Sequence, residues 1–163
     1  MLQLDDRGPT AVLSLDHGKV NALDVELLDA LTDALRALAA GPCTAVVLTG
    51  AGRAFSAGVD LHRVLEGGAD YVERLIPALG SAFETLFGFP KPVIAAVNGA
   101  AIAGGCVLVC ACDVRLATED APVGASELRV GVPFPASALE ILRHACGAPP
   151  SNGSVPGRRA TRR

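Results

Sequence analysis

Residues 44–61, Thr44-Ala-Val-Val-Leu-Thr-Gly-Ala-Gly-Arg-Ala-Phe-Ser-Ala-Gly-Val-Asp-Leu61, set the reading of the whole chain. The apolar, β-branched run Ala45 to Leu48 predicts a buried strand. Gly50 to Gly58 then predicts a turn, and Asp60 stands where a helix N-cap belongs. A glycine-rich turn at a strand end can leave backbone N–H groups unpaired and pointing into one cavity. There they bind an anion, or an oxygen on which charge develops. A second stretch, Val93-Ile-Ala-Ala-Val-Asn-Gly-Ala-Ala-Ile-Ala-Gly-Gly-Cys106, repeats the strand and the glycine-rich turn. One donor from each turn, brought together, would make an oxyanion hole.

Around these turns strand and helix alternate. Leu2 to Leu4 and Ala11 to Leu15 read as strands joined through Asp6-Arg-Gly-Pro9. Asn21 is a plausible N-cap, with Asp24 three residues on, and Leu27, Leu31, Leu35 and Leu38 recur at helical spacing before Gly41. Tyr71 to Phe87 predicts a second amphipathic helix, with Tyr71, Leu75, Leu79, Phe83 and Leu86 on one stripe. Pro90 and Pro92 end it. A buried helix over about 104–112, a short strand Asp113 to Ala117 and a last helix Pro135 to Cys146 complete the pattern, which is α/β. That last helix carries Leu139, Ile141, Leu142 and Cys146, which call for packing partners. Val93 to Cys112 holds 20 residues with only Asn98 polar, close to membrane-spanning length, but Asn98-Gly99 at its centre reads better as strand, turn and buried helix.

The 163 residues suit one domain, and half of them are apolar, enough to bury a core. Four arginines fall in the last six residues, leaving ten basic against seventeen acidic side chains, net −7, in the first 157. Such a body does not suggest nucleic-acid binding. The five cysteines show no metal spacing, and Cys106, Cys110 and Cys112 lie in an apolar run, as small core residues of a reducing cytosol do. No signal-peptide pattern opens the chain, so a cytoplasmic, non-membrane protein is expected.

The ordered set Val20-Asn-Ala-Leu23, Arg53-Ala-Phe-Ser-Ala-Gly-Val-Asp-Leu61, Lys91-Pro-Val-Ile-Ala-Ala-Val-Asn-Gly99, Ala103-Gly-Gly-Cys106, Cys112-Asp-Val-Arg115 and Glu127-Leu-Arg-Val-Gly-Val-Pro133 resembles the crotonase (enoyl-CoA hydratase/isomerase) superfamily. The resemblance covers roughly residues 10–146 and implies a spiral of ββα units. It implies an acyl-CoA thioester substrate, no cofactor beyond the coenzyme A that the substrate carries, and a homotrimer or dimer of trimers. It places the two oxyanion donors on the backbone N–H groups of Val59 and Gly104, and the acid/base on Glu127. Val20 and Ala22, with Ser56, Ala57, Gly58, Asp60 and Leu61, would line the CoA side. The competing reading of the same residues is structural: glycines that permit tight turns, a capping Asp60, and a Glu127 that is solvated or paired with Arg129.

Hydratases of this family place a second Glu three residues after the glycine matched by Gly104, where this chain has Val107. One carboxylate suffices to take a proton from C2 and return it at C4, so the resemblance favours double-bond isomerisation. The alternatives are an enoyl-CoA hydratase of fatty-acid β-oxidation, or an inactive truncated relative that only binds CoA or a partner. The chain changes character after Cys146: residues 147–163 contain three Pro, three Gly, four Arg and no acid. That composition builds no core and predicts disorder. Family members continue here with a C-terminal helical region, so the chain reads as C-terminally truncated or frameshifted.

Two other motifs fail on spacing. Gly50-Ala-Gly52 is followed by Phe55 where a dinucleotide fingerprint needs its third glycine. Ala54-Phe-Ser-Ala-Gly58 falls one residue short of a nucleophile elbow, although Ser56, Asp113 and His144 follow the hydrolase order.

Overall fold

The computed structural model describes residues 1–127 and 134–147. The elements run β1 (Leu2–Arg7), β2 (Thr10–Leu15), α1 (Val25–Ala40), β3 (Ala45–Gly50), β4 (Ala54–Ser56), α2 (Leu61–Phe87), β5 (Val93–Val97), β6 (Ala100–Ile102), α3 (Gly104–Ala111), β7 (Val114–Ala117), β8 (Val123–Gly124) and α4 (Ala136–Cys146). The strands form two sheets. The larger has the order β1-β2-β3-β5-β7, and the smaller β4-β6-β8. β1 pairs antiparallel with β2; every other pairing is parallel. The α/β class expected from the alternation is what the chain adopts.

Side-chain alternation along β2, β3 and β5 turns one face of the larger sheet inward. Leu13, Leu15, Val46 and Leu48 are fully buried there, in one cluster with Leu27, Leu28, Leu31 and Leu35 of α1. Each such leucine contributes about 1.5–3 kcal/mol over an exposed one. α1 has no basic residue in its last turn. Lys91 supplies the missing charge from across the fold, its Nζ donating to the carbonyls of Leu38 (2.6 Å) and Gly41 (2.8 Å).

The structure shifts two helix boundaries. α1 begins at Val25, and its N-cap is Asp24, whose side chain accepts from Leu27 N; Asn21 is not the cap. α2 begins at Leu61, well before Tyr71, because Asp60 caps it by accepting from the His62 and Arg63 N–H groups. The helical stripe is invisible over Leu61 to Asp70 because nearly all of that stretch faces solvent. A break at Gly68 (φ 58°) separates it from the buried part. The segment 93–112 divides into β5, β6 and α3, and among the described residues no helix is long and apolar enough to cross a membrane. α4 buries Ala138 and Ile141 but leaves Leu139 and Cys146 exposed. Residues 128–133 and 148–163, with the expectations for Arg129 and the basic tail, lie outside the described residues.

Candidate active site

The smaller sheet was not legible in the sequence: its strands are two or three residues long, and β4 and β6 fall within the two glycine-rich turns. It is what brings the two glycine-rich turns together. β4 pairs with β6 (Ala54↔Ala100, Ser56↔Ala101), so the chains leaving these strands run side by side into Gly58 and Gly104. At Gly58 (φ +85°) a Cβ would stand 2.7 Å from Ala103 Cβ and 3.1 Å from Gly104 N. At Gly104 a Cβ would stand 2.8 Å from Leu23 Cδ1. The two turns touch backbone to backbone, which only glycine permits at these positions.

The donors follow from the pairing of this region with the chain before α1. Leu23 and Val59 form a parallel bridge, in which Leu23 N donates to Gly58 O (2.7 Å) and Asp60 N donates to Leu23 O (2.9 Å). That pattern passes over the Val59 N–H, which has no acceptor among the described residues. Gly104 is the first residue of α3, so its N–H has no intrahelical acceptor, and none is found elsewhere among the described residues. Both free donors therefore lie where the turns meet, one of them at a helix N-terminus.

Two side chains hold this geometry. Asn21 adopts a left-handed backbone (φ 50°), and its Nδ2 donates to the carbonyls of Ala51, Ala54 and Phe55 at 2.9–3.2 Å. Ser56 is fully buried; its Oγ donates to Asn21 O (2.7 Å) and accepts from Gly58 N (3.2 Å). A hydroxyl committed on both sides and sealed from solvent is no nucleophile, which removes the hydrolase reading. Gly105 packs against the Ser56 carbonyl so closely that a side chain there would collide with it. Ala103, the residue before Gly104, has φ 54° and ψ −122°, a conformation costly for alanine, on the order of 1–3 kcal/mol. Strain is thus stored at the residue that aims the Gly104 N–H.

β8 leads into the segment that carries Glu127. That strand pairs with β6 (Ala101↔Val123, Ile102↔Gly124), and Ala103 N donates to Gly124 O (2.9 Å), so the segment carrying Glu127 departs beside the start of α3. Its Oε2 is buried and has no hydrogen-bond partner among the described residues. The neighbouring Cys110 and burial raise the Cys106 thiol, and the Glu127 charge adds to them. Val107, one turn into α3, is buried. Of the remaining candidates, Asp60 is the N-cap of α2, while Val20, Ala57 and Leu61 are exposed and Ala22 half-buried on the segments flanking the Leu23–Val59 bridge. Among the described residues no group of three His, Cys, Asp or Glu stands together to hold a metal ion.

Sequence reasoning missed Asn21 as the clamp of this corner, Ala103 as its strained member and Leu23 as its floor. Only the positive-φ tolerance of Asn offered a local signal.

Comparison with known proteins agrees with this architecture. The profile of the family described as enoyl-CoA hydratase/isomerase matches residues 8–153. A Thermus thermophilus protein provisionally named an enoyl-CoA hydratase is 42% identical over 147 residues, covering 87% of this chain and 57% of the relative. The human mitochondrial Δ3,5-Δ2,4-dienoyl-CoA isomerase is 37% identical over 116 residues, 64% of this chain and 35% of that protein. The crystal structure of an enoyl-CoA hydratase from Bacillus anthracis superposes with a TM-score of 0.84 at 31% identity, over 90% of this chain and 58% of the other. The chain spans 57% of the length of the Thermus relative and 35% of that of the human one, and it belongs to the enoyl-CoA hydratase/isomerase family.

Proposed function

We propose that the reaction is double-bond isomerisation of an enoyl-CoA thioester, with Glu127 as a single proton shuttle and the N–H groups of Val59 and Gly104 as the oxyanion hole. The observation that carries this reading is the Glu127 carboxylate, whose buried Oε2 has no partner among the described residues, together with an α3 that offers Val107 instead of a second acid. Glu127 takes the proton from C2, and the electron pair of that C–H bond moves onto the thioester oxygen. Two backbone donors at that oxygen stabilise the enolate by about 3 kcal/mol each, judging from single-donor deletions elsewhere. The protonated Glu127 then returns the proton at C4, and the double bond re-forms between C2 and C3. The chemistry needs no cofactor, because CoA enters as part of the substrate.

Hydration is the second reading, favoured by the name of the Thermus relative. It needs one group to activate water and another to protonate C2, and Glu127 would have to do both. Incubation with 3-enoyl-CoA and 2-enoyl-CoA separates the two: formation of the conjugated thioester from the first substrate is expected. Robust hydration of the second with no isomerisation of the first would overturn the single-carboxylate reading. CoA binding without turnover of either would leave a binding protein.

A further inference from the structure

The connection between β2 and α1, residues 16–24, carries Asn21 and Leu23, two of the residues on which the glycine-rich turns are built. Its path is not a regular one. Gly18 (φ 63°) and Asn21 (φ 50°) have left-handed backbones, and residues 18–20 are exposed. Such a segment needs ties to hold a fixed course. We propose that His17 is a positioning residue for the two backbone donors, closing this connection on itself by a hydrogen bond from its imidazole to Asp24. The role rests on the reading of the Val59 and Gly104 N–H groups as the oxyanion hole.

His17 Nε2 stands 2.7 Å from Asp24 Oδ2. The carboxylate can only accept, so the ring donates through Nε2–H, whether neutral or charged. The Asp24 side chain is 3% exposed and that of His17 30%, so the acceptor is shielded from competing water. The other Asp24 oxygen accepts from Leu27 N (2.8 Å) and caps α1. Arg63 comes within 3.9 Å of Oδ2 from the first turn of α2, but its Nη2 is held by Glu26 at 2.5 Å. The short bond to Oδ2 is therefore that of His17. The backbone N–H of the same residue donates to Asn21 Oδ1 (2.9 Å). With that oxygen engaged, Asn21 Nδ2 is left facing the carbonyls of Ala51, Ala54 and Phe55. His17 thus fixes the direction of the Asn21 amide with its main chain and the far end of the connection with its ring.

Leu23 lies between these two anchors, and both donors depend on it. Its N–H and carbonyl hold Gly58 O and Asp60 N, the pairing that leaves the Val59 N–H free. Its Cδ1 also packs where a Cβ on Gly104 would stand, 2.8 Å away. A shift of Leu23 therefore moves the two turns together. Val20 O accepts from Ala57 N (3.0 Å), so the middle of the connection leans on the first turn as well. The His17 ring lies outside the apolar core, so cutting it back removes the tie and little packing.

Amide hydrogen exchange and turnover of the full chain, with His17→Ala and His17→Gln beside the parent, test it. The side-chain amide of Gln can donate from where the imidazole Nε2 stood, so His17→Gln keeps the tie that His17→Ala loses. In His17→Ala the Leu23 and Asp60 amides should exchange on the order of ten-fold faster, with Val46 and Leu48 of β3 unchanged. Conversion of 3-enoyl-CoA should fall on the order of ten-fold in kcat at nearly constant KM, because the donors act on charge that develops in the transition state. His17→Gln should restore both. Unchanged exchange at Leu23 and Asp60 in His17→Ala would overturn the proposal whatever turnover does, and so would faster exchange with an undiminished kcat. Faster exchange in a chain whose parent converts no enoyl-CoA would keep His17 as the tie and break the isomerase reading instead. In NMR spectra of the parent a slowly exchanging His17 Nε2 proton is expected; a rapidly exchanging one would overturn the proposal without any variant.

Discussion

In the larger sheet β2 and β3 pair over six residues, and the buried leucines of both strands pack on α1. In the smaller sheet no strand exceeds three residues, and each pairing spans two. The first is held by apolar area and a long hydrogen-bond ladder. The second is held by side chains that bond to backbone, Asn21, Ser56 and Asn98, and by glycines that let main chains touch. Asn98 accepts from Gly50 N and donates to Gly52 O, both at 3.1 Å, tying the end of β3 to the turn between β5 and β6. Stability therefore concentrates in the larger sheet, and the candidate chemistry in the smaller one. The lesson is that few contacts can place a site accurately when each is stereochemically demanding.

That division can be broken by four substitutions. Leu48→Ala, in the larger sheet, should cost about 2–5 kcal/mol of unfolding free energy in a denaturant titration. A loss below about 1 kcal/mol would mean that the core does not sit where the burial places it. Glu127→Gln should lower turnover ~10²-fold or more while leaving thermal unfolding nearly unchanged. Equal turnover of variant and parent would return Glu127 to a structural role. Asn21→Ala removes the donor to the Ala51, Ala54 and Phe55 carbonyls and should destabilise by about 1–3 kcal/mol, with a fall in turnover as the segment leading to Gly58 loses its support. If stability drops and turnover does not, the clamp holds the fold but not the site.

The smallest effect sharpens the comparison most. Ala103→Gly relieves the strained φ of 54°. The relief of about 1–3 kcal/mol, offset by up to about 1 kcal/mol of glycine entropy, should leave the variant as stable as the parent or up to about 2 kcal/mol more so. Turnover should nevertheless fall, because a freer residue aims the Gly104 N–H less firmly. Unchanged kcat with raised stability would show that the strain is incidental.

Much of this was legible in the chain. The apolar alternation of Ala11 to Leu15 and Val93 to Val97, the leucine spacing from Leu27 to Leu38 and the stripe from Tyr71 to Leu86 are local periodicities, and they give strands and helices where expected. Asp60 as an N-cap also came through, since capping depends on three consecutive residues. The first part of α2 did not, because a solvent-exposed helix with a paired glycine at its end carries no apolar period. The short strands β4, β6 and β8 did not either, being too brief for any period to register.

By itself the sequence determined the α/β class, the order of the elements, the two glycine-rich turns and Glu127 as the candidate acid, because these rest on interactions within a few residues or on an ordered set of motifs. Tertiary structure alone decided that Gly58 meets Gly104, that Asn21 rather than a cap residue clamps the turns, and that Ser56 is sealed inside. Each of these joins segments distant in the chain. Contacts of that kind follow from how sheets and helices stack to bury area, and no local pattern encodes the result.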